Sequence, residues 1–214
     1  KRDAFTDMDE RILNTVAGSL ANGIEKIQLF ELEKKRRKQA EALRESTAAL
    51  TTSLEIQKIY DIILNTSAHL VNYTSASIEL IIDKYVEIVA QRGLPENQEF
   101  IGSKYEFEIS KWAPDIRKPI IIPDVREDER FKTISGTEFS RSRTWIPLTA
   151  QNKQIGFLNF DSDKPNFFFE DDAALLQTFA NQAAVAIENA RLFERESRRT
   201  QIIEAMADIA NETA

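Results

Sequence analysis

The chain has 214 residues, of which 42% are hydrophobic and 29% charged, and this composition predicts one domain with additional segments rather than two full domains. A formal net charge of −7 disfavours nucleic acid and anionic membrane surfaces, because both attract basic proteins. No apolar run approaches a membrane span and the first residues lack signal-peptide features, so we expect a soluble, cytoplasmic protein. The absence of cysteine excludes disulfides, thiolate metal sites and cysteine nucleophiles.

The first 50 residues predict one long helix. Residues 7 to about 50 contain no proline, and Gly18 and Gly23 weaken a helix without ending it. At about 1.5 Å per residue, such a helix is on the order of 65 Å long. An apolar stripe, called here the first stripe, runs along it in steps of four and three residues: Leu13, Ala17, Leu20, Ile24 and Ile27. This spacing is typical of a helix that packs along its length on another helix or on a sheet.

The start of the chain recurs near its end at a constant separation of 163 residues, as from Phe5 to Phe168. The matched residues are Phe5, Asp9, Ile24, Glu25, Leu29, Phe30 and Glu31 with Phe168, Asp172, Ile187, Glu188, Leu192, Phe193 and Glu194. The stripe recurs as a second stripe, formed by Leu176, Ala180, Ala183, Ile187 and Ala190. A separation this long has the size of a whole domain, so we interpret the first helix as the last helix of a preceding, similar domain.

The middle of the chain predicts a helix followed by six strands. The helix is expected at about residues 53–72, with Ser53 as its N-cap. Six alternating or β-branched segments with turn signals between them follow: SASIELIID, YVEIVAQ, KYEFEI, PIIIPDV, SRTWIPL and QIGFLNFD. Their close spacing predicts a six-stranded, mostly antiparallel sheet with helices at both ends of the sequence, which is an α+β architecture.

Polar residues two or four apart on four of these strands indicate a ligand-binding face. Because successive side chains of a strand face opposite ways, we expect them to share the face that the terminal helices leave open. They are Ser77, Glu79, Glu87, Gln91, Ser142, Thr144, Asn159 and Asp161. We expect Trp112, Arg130 and Phe131, in the intervening loops, to form walls of the pocket. The alternative is that individual members meet solvent at strand ends or edges.

No metal site is predicted from the remaining candidates. His69 is the only histidine and has no evident orienting partner, so a half-buried helix residue is favoured over a ligand. Some basic residues of the run 34–38 have glutamates four residues before or after them, and such pairs are typical of a solvated helix. Asp124, in the charged segment PDVREDERF, is expected to cap a short helix.

The segments IIIPDV, SRTWIPL, IGFLNFDS and LLQTFANQAAVAIENARLFE occur in an order that resembles a GAF domain over residues 53–194. The resemblance implies a six-stranded antiparallel sheet with long terminal helices on one face and short helices and loops over a small-molecule pocket on the other. It also implies a tandem arrangement in bacterial sensor proteins, upstream of histidine kinases or nucleotide cyclases. Residues 1–52 are then the last helix of a preceding GAF domain continued as a linker, and residues 195–214 an outgoing linker helix.

The resemblance also limits the activities and ligands that we expect for this chain. Family members that reduce free methionine sulfoxide need cysteines, and members that bind a bilin normally need one for attachment, so we expect neither activity nor cofactor here. The cyclic-nucleotide signature of the family, Asn-Lys, Phe and Asp-Glu, is matched by Asn152-Lys153, Phe167 and Asp171-Asp172. The Asn-Lys pair is expected in the turn before the last strand, whereas the signature starts after it. Cyclic-nucleotide binding is therefore the lesser alternative.

The leading hypothesis is a non-catalytic sensor domain that forms a parallel homodimer through its terminal helices. Ligand state would pass along these helices to neighbouring GAF and output domains, by a shift between two packing arrangements. The ligand is expected to be a small metabolite or a cyclic nucleotide, with no nucleic-acid or membrane partner. The alternative is a ligand-free spacer and dimerisation module whose pocket is filled by aromatic residues such as Phe167–Phe169. An enzyme is disfavoured because no catalytic constellation can be assembled.

Overall fold

The computed structural model describes residues 7–94, 99–106, 117–128 and 137–212. Within these ranges it contains three α-helices and six β-strands. The helices are α1 (Asp7–Thr52), α2 (Ile56–Leu70) and α3 (Glu170–Glu212). The strands are β1 (Ser75–Ile82), β2 (Tyr85–Arg92), β3 (Lys104–Glu106), β4 (Ile120–Ile122), β5 (Ser142–Ala150) and β6 (Lys153–Ser162). The predicted α+β architecture is confirmed.

The six strands form one sheet in the order β3-β2-β1-β6-β5-β4, with every neighbouring pair antiparallel. The hairpin between β5 and β6 turns at Gln151 and Asn152, which both have positive φ. This is the backbone of a two-residue type I′ turn, whose twist matches that of the strands. Asn152 therefore lies before the last strand, as the sequence predicts, and not after it.

One face of the sheet packs on α2 and α3. Cross-strand neighbours Ile78, Leu158 and Ile146 share this face and are fully buried in the main core. Gly156 on β6 lies so close to β1 that a Cβ would stand 2.1 Å from the Glu79 carbonyl oxygen, so no side chain fits there. The amide of Gln177 on α3 donates to the Pro147 carbonyl oxygen at 3.1 Å and ties α3 to β5.

The second stripe forms the face of α3 that packs inside the domain. Its five members, Leu176, Ala180, Ala183, Ile187 and Ala190, are all fully buried in the main core. The four-and-three spacing predicts packing along a helix or a sheet, and here it serves the packing of α3 on β5 and α2 within one domain, so these five side chains are not available for a dimer interface. Small side chains at three of the five positions allow this close approach.

The helix α1 is continuous over 46 residues, as predicted. Gly18 and Gly23 lie inside it with open space around them and do not interrupt it. The described residues up to Glu41 form one compact unit, and those from Ala42 onward form another. In the first unit, all members of the first stripe are exposed.

The start of α2 differs from the prediction. The N-cap is Glu55, which makes no side-chain capping hydrogen bond, and the helix begins at Ile56. Ser53 instead accepts a hydrogen bond from the backbone N–H of Glu55 at 3.3 Å, so it stabilises the link between α1 and α2 rather than the helix end.

The repeat supplies a matched pair of substitutions that tests this burial. Ile187→Asp places a charge at a side chain with 0% exposure, so we expect a loss of about 3 to 5 kcal/mol in the free energy of unfolding. Ile24→Asp replaces the equivalent residue of the first stripe, which is 56% exposed. This substitution should change the free energy of unfolding by no more than about 0.5 kcal/mol. Urea unfolding followed by circular dichroism measures both; equal losses would contradict the assignment of the second stripe to the core.

Candidate functional site

The face of the sheet opposite α2 and α3 carries a group of buried polar side chains. Ser77 on β1 lies opposite Asn159 on β6, and Asp161 lies opposite Arg143 on β5. Since direct cross-strand partners share a face, these residues stand on the same side of the central strands. Together with Glu79, which lies two residues after Ser77, they form what we call the polar cluster: Ser77, Glu79, Arg143, Asn159 and Asp161.

Asp161 is the most extensively bonded member of the polar cluster. Its Oδ1 accepts from Arg143 Nε and from Ser140 Oγ, both at 2.6 Å, and its Oδ2 accepts from Asn159 Nδ2 at 3.2 Å. Arg143 and Asp161 are 4% exposed each, so this is a buried ion pair. Such a pair is tolerated where further hydrogen bonds satisfy the remaining lone pairs, as they do here.

Glu79 occupies the other end of the polar cluster. Its carboxylate accepts from Ser77 Oγ at 3.1 Å and from the hydroxyl of Tyr105 on the edge strand β3. Burial raises the pKa of Glu79 above its ordinary value, while the hydrogen bonds from Tyr105 and Ser77 and the charge of Arg143 act in the opposite direction. Burial, together with the adjacent carboxylate of Glu79, also raises the pKa of Tyr105.

Asn159 presents one unsatisfied atom. Its Nδ2 donates to Asp161 Oδ2 at 3.2 Å and to Ser77 Oγ at 3.4 Å. Its Oδ1 is buried and accepts no hydrogen bond from any residue that the structure describes. A buried carbonyl oxygen without a donor costs about 1 to 3 kcal/mol, so this atom is where a donor group would be bound most favourably.

An apolar patch adjoins the polar cluster on the same face. Trp145 lies opposite Asn159, and its ring centroid is 6.1 Å from that of Phe157. Ile81 and Ile120 pack against these two rings and form a hydrophobic cluster separate from the main core. The face therefore combines hydrogen-bonding groups with aromatic rings, both of them buried, and small-molecule sites commonly combine these two kinds of group.

Five of the predicted site residues lie on the expected face. Ser77, Glu79, Asn159 and Asp161 come together as predicted. Gln91 lies opposite Ser77 on β2 and accepts a hydrogen bond from the backbone N–H of Phe100 at 2.8 Å, so it also positions the segment before β3. Whether any of them contacts a ligand stays a prediction. Trp112, Arg130 and Phe131 lie outside the described residues.

The face prediction is wrong for three others. Thr144 lies opposite Phe160, Ser142 opposite Ser162 and Glu87 opposite Leu80, which places all three on the helix face. The two hydroxyls donate to backbone carbonyl oxygens, Ser142 to Lys164 at 2.7 Å and Thr144 to Ile120 at 3.1 Å, while Glu87 pairs with Lys104 at 3.2 Å. The sequence misled for Ser142 and Thr144 because β5 is buried on both faces, so its polar residues do not identify the ligand side. Glu87 leaves the face of Gln91 because the pairing of β1 with β2 shifts register between Ile78 and Glu79.

Sequence reasoning missed Arg143, Ser140 and Tyr105. The signal for Arg143 was the alternative assignment of β5 residues to the two faces of the sheet. If the odd-numbered residues of β5 are placed on the polar face, Arg143 lies beside the predicted Asp161. A buried carboxylate requires a cationic or hydrogen-bonding partner, and this requirement would have selected the correct phase. Tyr105 carried no comparable signal, since it reaches Glu79 from a three-residue edge strand.

The remaining candidates act locally. Asp124 accepts from the backbone N–H of Arg126 at 3.1 Å and pairs with Arg141, so it holds a turn rather than a helix. The hydrogen bond from Arg141 is the main reason that the pKa of Asp124 is lowered. His69 donates from Nδ1 to the Asn65 carbonyl oxygen at 2.8 Å. In the described ranges no group of three or more potential metal ligands occurs, and no helix there is long and apolar enough to cross a membrane.

The fold and the site define an α+β domain whose antiparallel sheet separates a helical layer from a polar face. The family model of the GAF domain matches residues 53–188, nearly two thirds of the chain. The chain therefore belongs to the GAF domain family. GAF domains are generally regulatory, non-catalytic domains of signalling proteins, although free methionine-R-sulfoxide reductases share the fold.

Three solved structures illustrate the likeness. The GAF domain of the Acinetobacter phosphoenolpyruvate-protein phosphotransferase is 21% identical with a TM-score of 0.62, covering 72% of this chain and 95% of that one. The GAF domain of the Coxiella burnetii phosphotransferase (ptsP) is 18% identical with a TM-score of 0.65, covering 74% and 98%. The free methionine-R-sulfoxide reductase of Neisseria meningitidis, in complex with its substrate, is 20% identical with a TM-score of 0.57, covering 72% and 90%. At these identities the likeness shows the fold alone.

Burial of Glu79 leads to a pH prediction. Because its folded-state pKa lies above the unfolded value of about 4.3, the stability that protonation confers is complete below that value and is lost as the pH rises through the folded-state pKa. Glu79→Gln keeps an acceptor oxygen but carries no charge. We therefore expect the free energy of unfolding of Glu79→Gln, relative to the unsubstituted chain, to increase as the pH rises above about 4.3 and through the folded-state pKa of Glu79.

The control is Thr144→Val, which removes one buried hydrogen bond on the helix face and no titrating group. Its cost, about 1 kcal/mol, should be the same at every pH. Urea unfolding across the pH range measures the difference in the free energy of unfolding between each variant and the unsubstituted chain. The Asp124–Arg141 pair is present in all three proteins, so its contribution cancels in these differences. If the Glu79→Gln difference is also constant with pH, the carboxyl is not perturbed as described.

Proposed function

We propose that this chain contains a non-catalytic, cytoplasmic sensor domain that binds a small molecule on the polar face of its sheet. The observation that carries the proposal is the unsatisfied Oδ1 of Asn159, a buried acceptor within an otherwise hydrogen-bonded cluster. Native proteins rarely leave such an atom without a donor, and a bound ligand is one way to supply it.

The surroundings of Asn159 indicate the chemistry of the ligand. Its Nδ2 is already engaged by Asp161 and Ser77, so the free valence is an acceptor, and the complementary group is an N–H or O–H donor. The adjacent rings of Trp145 and Phe157 favour a flat, partly apolar body. We therefore infer a small ring-containing metabolite with a hydrogen-bond donor, a class that includes cyclic nucleotides.

Relay of the ligand state is proposed to pass through the sheet to α3. The backbone of Glu79 is in close contact with Gly156, and Ile155 and Leu158 on the same strand belong to the main core that packs on the helices. A ligand that binds two arrangements of this contact with different affinities would shift their populations. Since α3 continues for 43 residues to Glu212, such a shift reaches a helix that could lead to an output domain of the parent chain.

A thermal-shift screen with cyclic nucleotides and ring-containing metabolites, preceded by native mass spectrometry of the purified protein, tests the binding proposal. We expect a stoichiometric guest or a stabilisation that grows with ligand concentration as mass action requires. Asn159→Ala should weaken the apparent affinity that the ligand-induced shifts give by at least about tenfold, because it removes the acceptor oxygen for the ligand's donor group.

The matched control is Ser142→Ala, a buried hydroxyl deletion on the helix face, which should lower stability but leave the ligand-induced shift unchanged. Equal effects of the two substitutions would contradict binding at Asn159. A protein that carries no guest and responds to no compound would favour the alternative function, a spacer and dimerisation module in a tandem array.

We further propose that the chain forms a parallel homodimer through the first stripe. Its exposed apolar side chains, spaced by four and three residues, are those that a two-helix seam requires. The separation of 163 residues between the stripes also supports descent from a tandem pair of GAF domains, in which α1 would be the last helix of the first.

Sedimentation equilibrium of the full chain tests the seam. We expect the unsubstituted chain to be a dimer and the double variant Leu20→Asp, Ile24→Asp to be a monomer. The substitutions remove apolar contacts from the seam and place like charges of the two chains next to each other. As a control, Lys26→Asp combined with Glu25→Lys changes exposed polar positions on the same helix and should leave the dimer intact. A monomer at all concentrations for the unsubstituted chain would refute the proposal.

A further inference from the structure

A cleft of about 550 Å³ lies where α3 passes the tips of the β1–β2 and β5–β6 hairpins, and we call it the hairpin cleft. Its charged and amide lining comprises Asp83, Lys153 and Gln154 from the hairpins and Glu188, Arg191, Glu194, Arg195 and Arg198 from α3. Lys153 is six residues from Asn159 along β6, or roughly 20 Å at the rise of an extended strand. The hairpin cleft is therefore separate from the polar cluster.

The basic side chains of the hairpin cleft are free to bind an anion. Lys153 and the three arginines outnumber the acidic side chains Asp83, Glu188 and Glu194 by one, in a chain whose net charge is −7. No ion pair joins any of the four to a carboxylate among the described residues. Guanidinium groups suit phosphate and carboxylate oxygens because their planar donors bind two oxygens at once.

A neutral donor adds to this set. Gln154 lines the cleft, and its Nε2 is buried and donates to no acceptor within the part of the chain that the structure describes. A buried amide nitrogen without an acceptor is costly, and a ligand oxygen would satisfy it. This observation is independent of the arginines and indicates the same type of ligand atom.

The internal repeat shows that two of these arginines are not common to both copies of the helix. At a separation of 163 residues, Glu188 and Glu194 correspond to Glu25 and Glu31, so the acidic positions are common to both copies. Arg191 and Arg195, in contrast, correspond to Gln28 and Leu32. Arg198 corresponds to Lys35 and is cationic in both copies, so only the charges of Arg191 and Arg195 belong to this copy alone.

We propose that the hairpin cleft binds a small anion that carries two or more phosphate groups. Its volume lies in the range of small-molecule sites, and a multiply charged ligand suits several guanidinium groups lying across one cleft. A bound anion would connect the hairpin tips to α3 near the point where this helix leaves the sheet. The cleft would thus be a second input to α3, which goes beyond the proposed ligand of the polar face.

Titration calorimetry of the full chain with inorganic pyrophosphate tests the proposal. We expect saturable binding of one anion per chain. Arg191→Gln combined with Arg195→Leu, which installs the residues of the first copy, should weaken it by at least about tenfold through loss of two charge-assisted contacts. Arg195→Leu alone, at an exposed position, should weaken it about threefold or more and serves if the double variant fails to fold.

The control removes the same charge elsewhere. Arg199→Gln combined with Lys164→Gln changes two exposed residues that do not line the cleft and should change the affinity by less than about twofold. Absence of saturable binding, or equal weakening in both double variants, would overturn the proposal. Asn159→Ala should leave pyrophosphate binding unchanged, so failure at the polar face and failure at the hairpin cleft are distinguished.

Discussion

The carboxylate of Asp161 is the interaction on which the rest of the polar face depends. A charge at this depth is stable only if several donors surround it, and Arg143, Ser140 and Asn159 supply them from β5, the segment before it and β6 itself. The backbone carbonyl of Asp161 also accepts from Thr74 N–H at 2.8 Å, immediately before β1. One residue thus fixes the relative positions of the three central strands.

This arrangement has a consequence for Asn159. Because Asp161 and Ser77 engage its amide nitrogen, the side chain is held with its oxygen outside the network. A flexible asparagine would rotate to satisfy whichever neighbour is nearest, whereas this one is fixed as an acceptor. Such preorganisation lowers the entropic cost of binding, which is the property that a recognition site requires. In the proposed site the ion pair would therefore act on a ligand through Asn159 rather than by direct contact.

Much of the fold follows from the sequence because its signals are local. The six strands, their mostly antiparallel pairing and the long first helix could be predicted from alternation, turn residues and the absence of helix breakers, whereas the order of the strands in the sheet was not predicted. The faces were harder to assign. On β1 and β6, polar residues at Ser77, Glu79, Asn159 and Asp161 alternate with large apolar ones, and the prediction was right. On β5, both faces are buried, so only the cross-strand partner of Asp161 decides which residues of this strand lie on the polar face.

The two stripes show the same limit from another direction. Ile24 and Ile187 stand in equivalent sequence positions, yet one is exposed on α1 and the other is fully buried on α3. The pattern specifies that a helix face is apolar, and only tertiary structure determines whether a sheet, a second helix or another chain covers it. In α3 the cover is β5 and α2, whereas the first stripe of α1 is exposed.

Comparison of the two copies separates what packing requires from what it does not. The stripe is apolar at all five positions in both copies, and on α3 these five positions are buried. Positions where the copies differ are free of that requirement, and Arg191 and Arg195 lie among them. A domain can change its ligand only at such positions without losing its fold. Arg191 and Arg195 are therefore at positions where the proposed anion site could arise without a change in the buried stripe of α3.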